Sequence, residues 1–201
     1  MKAREYRMSL RADATQLTGE RIVDAMLERL RVTPYEHIRL DDIAADAGVT
    51  PQTVIRRFGG KAGLMNATVE RELGRIAAAR DAAAHASVYD TVRALVDHYE
   101  TYGALILKTY SEAPLVPGLP EIAARGRAYH VAWCRRAFAA RLDPRLDAET
   151  NARRLAQVVA LCDATTWRIL RVDGTLGPDE TEVALLELLE PLLAETGGAP
   201  R

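Results

Sequence analysis

Residues 38–58 read Ile-Arg-Leu-Asp-Asp-Ile-Ala-Ala-Asp-Ala-Gly-Val-Thr-Pro-Gln-Thr-Val-Ile-Arg-Arg-Phe, and this stretch decides the fold. Leu40 to Ala47 has the apolar spacing of a short helix, with Leu40, Ile43, Ala44 and Ala47 on one side. Gly48 follows as the permissive residue of a tight turn. Thr50 is then a natural N-cap, and Pro51 occupies the first helical position, where a missing N–H costs nothing. The third helix stops at Gly59-Gly60. Two short helices around a glycine turn form a helix-turn-helix.

At about 100° per residue, Val54 and Phe58 point inward. Gln52, Thr53 and Arg56 then face outward, flanked by Ile55 and Arg57. That face suits the major groove of DNA, because Gln and Arg can make paired contacts to adenine and guanine, Thr can reach a base or phosphate, and Ile can pack on a thymine methyl. Lys61, after the glycine pair, is placed to meet a phosphate.

Upstream, Thr18 reads as the cap of a first helix whose Ile22, Val23, Met26, Leu27 and Leu30 line one face, ending before Thr33-Pro34. Lys2, Arg4, Arg7 and Arg11 against Glu5 and Asp13 make residues 1–17 a weakly basic arm that can track DNA. Downstream the period lengthens into helices at roughly 61–80, 88–110, 121–142, 148–172 and 178–195. Residues 111–120 carry three prolines and a glycine and read as a loop. With no alternating strand pattern, the chain is all-α: a DNA-binding domain over 1–63, with its helix-turn-helix at about 40–59, and a larger helical bundle over 64–201.

Three passages, Thr18-Gly-Glu-Arg-Ile-Val-Asp-Ala, Asp42-Ile-Ala-Ala-Asp-Ala-Gly-Val-Thr and Thr53-Val-Ile-Arg-Arg-Phe-Gly-Gly-Lys-Ala-Gly-Leu, resemble the amino-terminal signature of TetR-family transcriptional regulators over about residues 18–70. The resemblance implies a three-helix DNA-binding domain, a helical regulatory domain, homodimerisation through the last two long helices, and repression relieved by a small molecule. By motif position it puts DNA contacts on Thr50, Gln52, Thr53, Arg56, Arg57 and Lys61. Arg39 stands where the family usually has a capping Thr, and an arginine there can itself reach a phosphate. Ile55 and Arg57 replace residues common in the family, so no relative's operator preference transfers.

Composition agrees without pointing to DNA. The 201 residues carry 27 Lys plus Arg against 28 Asp plus Glu, a net charge of −1. The near balance excludes a generic polyelectrolyte binder. Residues 1–63 hold a net of +2. No apolar run approaches the ~20 residues of a membrane span, and the start lacks a secretory signal, so a cytoplasmic protein is expected. No nucleophile elbow, phosphate loop or paired metal-ligand motif points to an enzyme, and no cofactor or metal is expected.

In the bundle, Leu155, Val158, Val159, Cys162 and Trp167 on one long segment, with Val183, Leu186, Leu189 and Leu193 on the next, are the candidate dimer faces. A twofold dimer can present two recognition helices to a pseudo-palindromic site. His98, Tyr99, Tyr102, Tyr110, His130 and Trp133 are the candidate polar groups of a pocket for a small apolar or aromatic ligand. A constitutive or partner-controlled DNA-binding regulator is the alternative. Cys134 and Cys162 read as small buried hydrophobes.

Overall fold

The computed structural model describes residues 2–81 and 87–193, with side chains from residue 14 onward except Ala79. Helices account for nearly all of it, and no strand occurs among the described residues. They are α1 (Lys2–Val32), α2 (Leu40–Asp46), α3 (Pro51–Phe58), α4 (Lys61–Asp81), α5 (Val88–Glu112), α6 (Leu119–Phe138), α7 (Ala148–Leu161), α8 (Ala164–Arg168) and α9 (Pro178–Leu189). The chain divides into two compact units. Unit 1 comprises Met1–Glu72 and Thr109–Ala123, and unit 2 comprises Leu73–Lys108 and Ala124–Arg201.

In unit 1, α2 packs against α1 and α3. Ile22, Met26, Leu30, Ile43, Val54, Leu64, Met65 and Leu119 are among its fully buried apolar side chains. Arg29 of α1 clamps α2 from outside, 2.6 Å from Asp46 and 3.5 Å from Asp42. In unit 2, Val92, Leu95, Val96 and Tyr99 of α5 meet Trp133, Cys134 and Phe138 of α6, Val158 and Cys162 at the end of α7, Trp167 of α8, and Leu185 and Leu189 of α9.

Several sequence expectations need correction. The first helix does not begin at Thr18: α1 runs from Lys2, and the Thr18 hydroxyl donates to the Ala14 carbonyl at 2.8 Å inside it. The side chains of the basic arm lie outside the described residues. Residues 111–120 are not an open loop, since α5 continues to Glu112, a 3₁₀ turn spans Ala113–Leu115, and α6 opens at Leu119. Pro114 and Pro120 sit in first turns, where no amide donor is required. The segment 148–172 is not one helix. Asp163 accepts the Thr165 amide at 2.8 Å and caps a new helix, which ends in a π turn over Ile169–Asp173. After Leu189, Pro191 turns the chain into a short 3₁₀ segment, Glu190–Leu192.

Candidate DNA-binding site

The site is built on α3. The Thr50 hydroxyl accepts the Thr53 amide at 3.3 Å, and Pro51 opens the helix as expected. The turn before it needs a left-handed residue, which Gly48 provides at φ +65. At the far end the Gly59 amide donates to the Ile55 carbonyl at 2.8 Å, with Gly59 at φ +77. Val54 is fully buried and Phe58 half-buried. Gln52, Ile55, Arg56 and Arg57 are exposed, and Thr53 is partly so.

The individual side chains are less uniform than the helical wheel implies. Thr50 and Thr53 are hydrogen-bonded to each other through their hydroxyls at 3.0 Å. Whichever one donates, one hydroxyl hydrogen remains for an outside acceptor. Arg57 folds back along α1: a side chain at residue 19 would collide with its guanidinium, so Gly19 is the space Arg57 occupies. Its guanidinium also lies 5.8 Å from the Phe58 ring centroid. Arg39, preceding α2, caps nothing with its side chain and lies exposed, 3.8 Å from Asp41.

Lys61 departs most from expectation. Its ammonium donates to the carbonyls of Tyr35 and Ile38 at 2.9 Å each and reaches that of Glu36 at 3.4 Å, with Nζ 4.3 Å from the Tyr35 ring centroid. An ammonium has three hydrogens to give. A phosphate contact would require it to release these acceptors.

The same Tyr35 turn is held from the other side by a residue that the sequence reading passed over. The Tyr35 amide donates to Glu112 Oε1 at 3.0 Å, and Asn66 Nδ2 donates to the Pro117 carbonyl at 3.0 Å. The 3₁₀ turn Tyr35–His37 that delivers the chain into α2 is therefore fixed by the first residue of α4 and the last of α5. The 77 residues separating Tyr35 from Glu112 explain why no local signal marked this contact.

Of the residues expected to form a ligand pocket, His98, Tyr99, Tyr102, His130 and Trp133 lie in unit 2, whereas Tyr110 belongs to unit 1. Burial holds the Tyr99 hydroxyl far above its ordinary range, where it donates to the Cys162 carbonyl at 2.7 Å. Of the expected dimer residues, Val158, Cys162, Trp167 and Leu189 are buried in the core of their own unit, while Val159, Leu186 and Leu193 pack against it. Leu155 borders a shallow pocket with Leu142 and Pro144. Val183 alone remains a large exposed apolar side chain, beside Ile169, Val172 and Leu188, which the sequence reading did not select. Most of that apolar stripe is thus used within its own unit. Among the described residues no group of three His, Cys, Asp or Glu side chains is placed to hold a metal ion, and no helix is long and apolar enough to cross a membrane.

Comparisons with known proteins cover the segment that holds α2 and α3. Residues 22–68 match the family model of bacterial regulatory proteins, tetR family. The fold is similar to that of a Rhodococcus sp. protein assigned to the TetR-family transcriptional regulators, at 19% identity and TM-score 0.63 over 89% of this chain and 100% of that one. It is also similar to NalD, the secondary repressor of the MexAB-OprM multidrug efflux pump in Pseudomonas aeruginosa, at 22% identity and TM-score 0.63 over 90% and 98% of the chains. A second regulator, from Rhodococcus sp. Rha1, superposes with TM-score 0.69 at 15% identity, over 87% and 95%. Among curated proteins no significant sequence relative is found. Residues 22–68, which hold α2 and α3, therefore resemble the amino-terminal domain of bacterial regulatory proteins of the tetR family, and the solved structures share the fold of the whole chain.

Proposed function

We propose that the protein is a cytoplasmic, dimeric repressor that binds a pseudo-palindromic operator through α3 and leaves it when a small molecule enters unit 2. One observation carries the DNA reading: on a helix capped at both ends, Val54 faces the core while Gln52, Ile55 and Arg56 stand exposed. Base contacts fall to Gln52 and Arg56, with Thr53 and Ile55 beside them and Thr50, Arg39 and Arg57 nearer the phosphates. Lys61 takes a positioning role through the Tyr35 turn.

A second copy would cover the apolar side chains left exposed late in the chain, Ile169, Val172, Val183 and Leu188. Dimerisation would set two recognition helices about 34–36 Å apart, one turn of DNA. Three helices, α4, α5 and α6, run from one compact unit into the other. A ligand that favours one arrangement of their unit 2 halves shifts the population of spacings competent for DNA. The Tyr35 turn, gripped by Lys61 and Glu112, is where that movement reaches α2 and α3.

Fluorescence-anisotropy titration with DNA from the region upstream of its own gene, at several salt concentrations, tests this reading. Saturable binding that weakens steeply with salt is expected. Binding that is weak and indifferent to sequence would overturn it, and a monomer by sedimentation in the DNA-competent state would overturn the dimer.

A further inference from the structure

Unit 2 encloses a guanidinium that makes no ion pair with any carboxylate among the described residues. Arg80, in the last turn of α4, follows Ile76 by one turn on the inward side of the helix and is as buried as Ile76. Its guanidinium lies 4.1 Å from the Trp133 ring centroid and 5.8 Å from that of Tyr99. Nη2 is 3.4 Å from His130 Nδ1, while Nε has no partner. Arginine only donates, so His130 Nδ1 is an acceptor, and its Nε2–H donates to the Val159 carbonyl at 3.0 Å. Both ring nitrogens of His130 are thereby used.

His98, on α5, is buried with both ring nitrogens unpartnered, its ring 5.2 Å from those of Tyr99 and Tyr102. The interior is electropositive. Burial, then the charges of Arg80 and His130, push His98 down to about 3. The Cys134 thiol is drawn down, first by its hydrogen bond with Cys162 and then by His130 and Arg80. A buried cation is costly without an anion, and a neutral imidazole with no partner is a second unmet demand.

We propose that Arg80 and His98 bind the carboxylate of a small effector whose apolar or aromatic body lies against Trp133 and Tyr102. A carboxylate accepts from Arg80 Nε and from the one N–H of neutral His98, and its single charge matches the single guanidinium. A phosphate dianion brings a second charge, which the single guanidinium does not match. This inference rests on the ligand-responsive reading above and names the chemistry of its ligand.

The test is thermal melting of the full-length protein, dialysed free of small molecules, with sodium benzoate or sodium octanoate against benzyl alcohol, octanol, inorganic phosphate and sodium chloride at matched ionic strength. The carboxylates are expected to raise the melting temperature and the others not. Arg80→Met should bind the carboxylates roughly ten- to hundredfold more weakly, the range of a charged hydrogen-bonded contact. Without ligand its melting temperature should stay near that of wild type, since relief of the buried charge offsets the acceptor left open on His130. Equal stabilisation by the alcohols or by phosphate, no response to either carboxylate, or a markedly lower melting temperature for unliganded Arg80→Met would each overturn the proposal. DNA binding is measured on the same samples. Retained operator binding with failed carboxylate arms removes this inference alone, whereas loss of all specific DNA binding removes the reading beneath it.

Discussion

Arg56 and Arg80 both lie in the last turn of a helix, yet Arg56 stands in solvent on α3 while Arg80 is closed into the interior of unit 2. The contrast extends to their surroundings. In unit 1 the charged groups at α2 and α3 are exposed, and the partly buried ammonium of Lys61 has carbonyl acceptors. In unit 2 an arginine and a histidine are buried with open valences. A surface built to meet a polyanion keeps its donors outside and preorganised, and desolvates them only on contact. An interior that holds donors without partners has already undergone that desolvation and is poised for a ligand that restores the bonds.

Substitutions can break this contrast. The largest effect is expected from Trp133→Ala, which removes the ring against Arg80 and Phe138 and should cost about 3–5 kcal/mol in urea denaturation. A loss below 1 kcal/mol would mean that the unit 2 core does not depend on it. Lys61→Met leaves three carbonyls without their donor and should cost about 1–3 kcal/mol of stability. If it instead weakens DNA binding with no change in melting, Lys61 meets phosphate directly.

Arg56→Ala should show the reverse pattern. A loss of about 1–3 kcal/mol confined to one base pair of the operator is expected, with unaltered melting. Uniform weakening across sequences would place Arg56 on the phosphates.

Acid sharpens the contrast from the other side. His98 is held at about 3 in the folded state, chiefly by burial, whereas an unfolded histidine titrates near 6.5. Below pH 6.5 the unfolded chain takes up a proton that the folded chain refuses, so stability from this group is complete above pH 6.5 and declines as pH falls towards 3. About 1–2 kcal/mol should be lost between pH 6.5 and 5. His98→Phe should flatten that part of the profile, and an unchanged slope would show that His98 is not the group responsible. Thr50→Ala is the smallest change, about 1 kcal/mol from a lost cap. Thr50→Asp, which can accept the same amide, should recover the melting temperature.

The helix-turn-helix was legible because its signals are local. A cap, a proline, a turn glycine and an inward valine lie within a dozen residues, and each constrains the backbone next to it. Asp163 is an equally local cap that the apolar period of 148–172 concealed, because apolar residues recur on both sides of a two-residue break. The packing of the candidate dimer residues within their own unit was hidden for a related reason: an apolar stripe records that a face is covered, not by what. Lys61 and Arg57 were placed outward by chain position, and only the tertiary neighbours, the Tyr35 turn and Gly19, turn them back.

The sequence by itself therefore determined the all-α class, the capped recognition helix and the identity of its outward residues, since these depend on contacts four residues apart or fewer. The tertiary structure decided which donors are free. Glu112 meets Tyr35, and Arg80 comes to lie against Trp133 and within reach of His130, across separations of 77, 53 and 50 residues. Whether a buried polar atom finds a partner is a property of the assembled interior, because the groups that could satisfy it arrive from helices distant in the chain.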